Sequence, residues 1–222
     1  MNNYEYIIAG LPFLSQDGRE APDTEAILAD IREQLSAADA KTLDFLLSAY
    51  APDMPDAAFY LEARRSRNRF VREFFALDLG VRNAKVEYLN RSLGRPEGTD
   101  IVNPALAADS DGTLYPDGAL ATDGALNATT VPMDEDLPEF DQKPEVDAIL
   151  ETDDILGRER ALDNFYWKAA DALTVLDVFD LDLILAFVVK LKQVERWLRL
   201  DEATGRELFR KLVKEIKENT KI

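Results

Sequence analysis

The sequence contains no cysteine and no histidine in 222 residues. Without cysteine, disulfides and thiolate metal sites are excluded. Without histidine, the commonest general base and the commonest metal ligand are missing. Glycine is sparse, and no two of the ten glycines stand two positions apart. There is therefore no G-x-G dinucleotide loop, and neither a P-loop nor a G-x-S-x-G elbow occurs. A serine nucleophile would need a lysine or carboxylate base, and no spacing suggests one. An apolar run of the roughly 20 residues needed to cross a membrane is also lacking. The apolar centre of DLDLILAFVVKL, Leu183 to Val189, is bounded by Asp177, Asp180 and Asp182 before it and by Lys190 and Lys192 after it. A helix with no polar face and charged ends predicts an inner strut surrounded by other helices. The opening MNNYEYIIAGLPFL lacks a basic stretch, is interrupted by Glu5 and is ended by Pro12. A secretion signal is not expected there, which places the chain in the cytoplasm.

What the chain has in excess is acid, and it is unevenly placed. The net charge is −17. Residues 97–154 hold 16 acidic side chains and 1 basic one, net −15. Residues 56–96 are net +4, residues 1–55 net −7 and residues 155–222 net +1. With the acid concentrated in the middle and no broad basic surface, a nucleic-acid partner is not expected.

Apolar periodicity predicts an all-α, multi-helical fold. Asp23 or Thr24 can cap a first helix with Ile27, Leu28, Ile31 and Leu35 on one stripe. Ser36 reads as the N-cap of the next, with Asp39 in its first turn and Pro52 and Pro55 after its end. A long helical stretch follows from about Asp56 to Leu93, stopped by Gly94 and Pro96; a bend near Asp78–Gly80 is left open. Residues 97–153 exchange periodicity for proline, glycine and acid. DGTL, DGAL and DGAL begin there at Asp111, Asp117 and Asp123, and Asp-Gly is a turn dipeptide. The expected organisation is a helical unit over 1–96, an acidic irregular insertion or linker over 97–153, and a second helical unit over 154–222 packed on the first. Asp180 can cap the buried helix, and a last helix is predicted from near Asp201. Phe75–Leu79 and Phe179–Leu183 both read F-x-L-D-L, each at an expected helix-to-helix handover. The match is either a coincidence of five positions or the mark of two stacked helical repeats.

Candidate chemistry is thin. Asp109-Ser-Asp111-Gly112 begins like a calcium loop, but Leu114 and Leu120 occupy the positions that need glycine and glutamate. Asp134-Glu135-Asp136 and Asp153-Asp154 could hold magnesium loosely for a metal-dependent hydrolase; a solvated acidic run and helix capping are the plainer readings. No cofactor or metal is expected, nor a catalytic residue. Arg64, Arg65, Arg67, Arg69 and Arg72 form the most unusual charge cluster. They can dock an acidic partner, cradle the chain's own acidic segment, or simply be a solvated helix face.

Three stretches carry a resemblance: YEYIIAGLPFLS at the start, FFALDLGVRNAKVEYLNRSLGR in the middle, and ERALDNFYWKAADALTVLDVFDLDLILAFVVKLKQVERWLRLDEATGRELFRKLV from Glu159. Together they resemble a bacterial family of uncharacterised proteins usually encoded among V-type ATPase subunits. That family is in turn similar to the C/d-type subunit of V/A-type ATPases. The C/d-type subunit is an all-helical socket of repeated units between the membrane rotor ring and the central shaft. Asp78, Arg82 and Asn83 match its aspartate, basic and asparagine positions. Glu195, Leu198 and Arg199 match a second set, in which Trp197 replaces an asparagine. The socket has three repeats, and this chain has room for two. The resemblance implies a non-catalytic coupling subunit, peripheral on the inner face of the cell membrane, with the shaft and the rotor ring as partners. Arg64, Arg65, Arg67, Arg69, Arg72, Glu195 and Arg199 are its candidate partner-binding residues. The alternative is an accessory or assembly factor whose acidic insertion binds basic surfaces.

Overall fold

The computed structural model describes residues 4–16, 22–104 and 140–199. Among them are eight helices and no strand. They are α1 (Glu5–Gly10), α2 (Thr24–Gln34), α3 (Ala37–Ser48), α4 (Ala57–Arg65), α5 (Arg69–Leu93), α6 (Lys143–Leu150), α7 (Ile155–Leu173) and α8 (Leu181–Arg199). The fold is all-helical, as the periodicity predicts. The expected last helix lies outside the described residues.

Side-chain caps set most of the helix starts. Asp23 accepts from the Ala26 N–H at 3.0 Å to start α2, and Ser36 accepts from the Asp39 N–H at 3.2 Å to start α3. These caps satisfy backbone donors that a helix leaves orphaned at its first turn. Gly94, at φ +62°, ends α5 in the left-handed conformation that glycine adopts without steric cost. The stretch expected as one helix from Asp56 to Leu93 is instead two. It breaks at Ser66–Asn68, where Asn68 accepts from the Val71 N–H at 2.8 Å and Ser66 Oγ accepts from the Asn68 N–H at 3.2 Å. Two short polar side chains bonding the local backbone end one helix and start the next, in a stretch, Arg64 to Arg69, that has no apolar residue to carry a stripe across. No break occurs at Asp78–Gly80, which lies inside α5.

That continuity decides the F-x-L-D-L match. Phe75–Leu79 is mid-helix, whereas Phe179–Leu183 runs from a loop into the first turn of α8. The two copies occupy different structural positions, so the match carries no sign of a repeat.

The buried helix is as the apolar run requires. Ile184, Leu185, Val188 and Leu191 of α8 are wholly buried, and within the run Leu183–Val189 only Leu183 and Phe187 are partly covered. Neighbouring helices α2, α3, α5 and α7 surround it. Each such aliphatic side chain contributes about 1.5–3 kcal/mol on burial. The core containing α8 also takes Phe70, Phe74, Phe75 and Leu79 from the first half of α5. A second core joins Val81 and Ala84 of α5 to Val146 and Leu150 of α6 and to Leu162 and Phe165 of α7. Helix α5 thus runs through both.

Helix α6 is an element that the proline- and acid-rich composition of residues 97–153 did not signal. Both described ends of that stretch are bound to α5. Asn83 pairs with Val102 through two hydrogen bonds of 3.0 and 2.9 Å, and Asn90 donates to the Thr99 carbonyl at 2.7 Å. At the other end the Phe140 ring lies against Gly80, in the space that a Cβ at that position would occupy.

Candidate functional site

A cleft of about 560 Å³ opens between the end of α3, α5, α7 and the last turns of α8. Asp78 lines it. Tyr60 of α4 donates its hydroxyl to one Asp78 oxygen at 2.6 Å, and Tyr166 of α7 donates to the other at 2.8 Å. Three helices converge on one carboxylate. Burial, reinforced by the adjacent carboxylate, pushes the Tyr60 and Tyr166 hydroxyls well above the ordinary tyrosine range. Both stay neutral donors, which is the state that two hydrogen bonds to Asp78 require.

The opposite wall comes from α8. Glu195 accepts from Lys192 at 2.9 Å and from Arg199 at 2.5 Å. Arg196 donates to Asp163 of α7 at 2.5 Å, and the Trp197 indole N–H donates to that carboxylate as well. The guanidinium groups of Arg160 and Arg196 lie 5.0 and 5.8 Å from the Trp197 ring, a cation–π arrangement. Trp197 therefore does at this position what an asparagine alone could not: it binds a carboxylate and stacks with two arginines. Lys85 lines the cleft half-buried, with no ion-pair partner among the described residues.

The cleft brings together three positions singled out from sequence: Asp78, Glu195 and Arg199. Arg82 and Asn83 do not line it, although Arg82 reaches its rim at Pro55 and lies beside Tyr60. Arg82 donates to the Pro55 carbonyl, and Asn83 holds Val102. Sequence reasoning missed Tyr166, Lys85, Asp163 and Arg196 as cleft residues, and Tyr60 as the buried donor behind Asp78. Nothing in the spacing of Tyr166 announces that its hydroxyl reaches a carboxylate on another helix.

The arginine cluster divides. Arg69 donates to Asp177 at 2.7 Å and to the Leu173 carbonyl at 2.8 Å, and also approaches Glu73 and Asp182. Arg72 donates to the Ser66 carbonyl at 2.8 Å. These two are internal ties, Arg69 between the α4–α5 corner and the α7–α8 loop and Arg72 within the corner itself. Arg64, Arg65 and Arg67 remain exposed. Asp182 completes the junction by accepting from Asn68 at 2.6 Å. Burial, followed by Asp180 and Asp177 nearby, raises its pKa, while Asn68 and Arg69 oppose the shift.

Among the described residues no group of three acidic side chains is placed to hold a metal ion. Asp154 is used as the N-cap of α7, accepting from Leu156 at 3.1 Å. The calcium-like start at Asp109 and the acidic run at Asp134–Asp136 lie outside the described residues. No described helix is long and apolar enough to cross a membrane.

A family model described as a protein of unknown function, DUF2764, matches residues 51–220. No curated protein and no solved structure matches the chain.

Proposed function

We propose that this chain, which belongs to the DUF2764 family, is a non-catalytic component of a V/A-type ATPase. Its role is that of the C/d-type subunit: to join the central shaft to the membrane rotor ring, on the inner face of the cell membrane. The observation that carries the reading is the meeting of Asp78, Glu195 and Arg199 in one cleft. These are positions at which the chain resembles the C/d-type socket, and they come from distant parts of the sequence. Stiffness supports the same reading. A coupling part must pass torque without bending. Here the apolar centre of α8 is buried on nearly every side and α5 ties two cores together. Close-packed interiors transmit strain rather than absorb it.

A second reading, a transient accessory factor, is favoured by the net −15 of residues 97–154. One experiment separates the two. Residues 97–104 and 140–153 are left in place because they pack on α5, and residues 105–139 are replaced by a short Gly/Ser linker. The altered chain is then used to pull down the ATPase from its native source. Retained association supports the coupling role, and lost association supports the accessory factor. Absence of the unaltered chain from the purified ATPase by mass spectrometry would overturn the first reading.

A further inference from the structure

The loop between α7 and α8 is built inside out. Val175, Leu176 and Val178 are 74 %, 89 % and 72 % exposed. The carboxylates interleaved with them turn inward: Asp180 is 7 % exposed, and the Asp177 side chain is 14 % exposed on its bond with Arg69. A surface loop ordinarily does the reverse, since exposing apolar area and burying carboxylates both cost free energy. The conformation is also held under backbone strain. Phe179 sits at φ +54°, and its carbonyl accepts from the Tyr4 N–H at 2.7 Å. A left-handed phenylalanine persists only where its surroundings impose it.

The neighbouring α4–α5 corner supplies charge. Asn68 and Arg69 bind Asp182, Asp177 and the Leu173 carbonyl, so the corner and the loop share one end of the molecule. Arg64, Arg65 and Arg67 are exposed on that corner and have no ion pair among the described residues, against one acid on α4, Glu62.

We infer that the α7–α8 loop and the Arg64–Arg67 corner form a docking surface for an anionic phospholipid bilayer. Val175, Leu176 and Val178 enter the boundary between headgroups and acyl chains, and the three arginines bind lipid phosphates. The shape favours lipid over a protein partner. Adjacent side chains that are 74 % and 89 % exposed project from the surface, and a projecting apolar tip suits a soft bilayer, whereas a protein partner would need a matching pocket. Apolar residues beside arginine are also the composition with which peripheral proteins lie in the interface, and each basic side chain near an anionic surface adds attraction. The inference stands on this surface and does not need the ATPase reading.

The test is sedimentation of the full chain with vesicles of phosphatidylcholine, alone or mixed with phosphatidylserine. Binding is expected with the mixed vesicles only, and it should weaken as salt is raised. Leu176→Asp combined with Val178→Asp should reduce it about tenfold or more, as should Arg64→Gln, Arg65→Gln and Arg67→Gln together. All five positions are exposed, so helical circular dichroism should not change in either variant. Failure to bind mixed vesicles overturns the proposal, as does equal binding by the loop variant or by the arginine variant. Self-association abolished by Leu176→Asp, without vesicle binding, overturns it in favour of a second copy of the chain.

Discussion

Asp78 shows how much one side chain can organise. Its two oxygens are met by hydroxyls from two other helices, Tyr60 and Tyr166. Removing one donor leaves a partly covered carboxylate under-satisfied. Tyr166→Phe should therefore lower stability at neutral pH by about 1–2 kcal/mol, measured by urea unfolding. The pH dependence has a definite sign. Both hydroxyls have folded pKa values raised above the ordinary value of 10. Their contribution is complete below that pH and is lost as pH rises beyond it, because the unfolded tyrosines ionise first. Tyr166→Phe removes one of these groups, so the stability gap between the two proteins should narrow above about pH 10. A gap that stays constant would show that the Tyr166 hydroxyl does not stabilise the fold by donating in its neutral form. At this scale the sequence was least informative. Asp78 was visible from a resemblance, but the residues that hold it were not, because a hydrogen bond between helices leaves no periodicity.

At the scale of elements, caps and apolar stripes were read well, and their competition was read less well. Ser36, Asp180 and Gly94 act as expected. Asn68 caps α5 and separates it from α4, where one continuous helical stretch was expected. Gly80 stands where a bend was left open, yet α5 passes straight through it. Its missing Cβ makes room for the Phe140 ring, which anchors the chain just before α6. Gly80→Ala sets two effects against each other. Alanine favours the helix by about 1 kcal/mol, but its methyl group would overlap the ring, and overpacking costs about 1–3 kcal/mol. We expect a net loss of stability in the native background. With Phe140→Ala already present the clash is gone, and Gly80→Ala should then stabilise by about 0.5–1 kcal/mol. Equal effects in the two backgrounds, read from urea midpoints, would remove Phe140 as the reason for the glycine.

At the scale of the whole molecule, α8 is the centre of the larger of the two cores. Leu185 is wholly buried in the core that joins α8 to the first half of α5 and to the N-terminal helices. Leu185→Ala should cost about 2–5 kcal/mol, since the removed side chain leaves a cavity that close-packed helices fill only in part. Val175→Ala, at an exposed position of the adjoining loop, should stay within about 0.5 kcal/mol. Thermal melting of the pair checks the contrast. Comparable losses would mean that the centre of α8 is less tightly enclosed than its burial indicates.

The sequence by itself determined the helical class, the enclosure of Leu183–Val189, the capped starts of α2, α3 and α8 and the end of α5. Each follows from local order: apolar spacing, a capping side chain, or a glycine that can take a positive φ. Only the tertiary structure decided which helices share a carboxylate, that α6 exists within an acidic and proline-rich stretch, and that Arg69 and Arg72 are internal ties while Arg64, Arg65 and Arg67 face outward. It also turned the aspartates of the α7–α8 loop inward and its aliphatic side chains out. These outcomes depend on partners far away along the chain. Proximity in space is fixed by packing, and the pattern of neighbouring residues does not encode it.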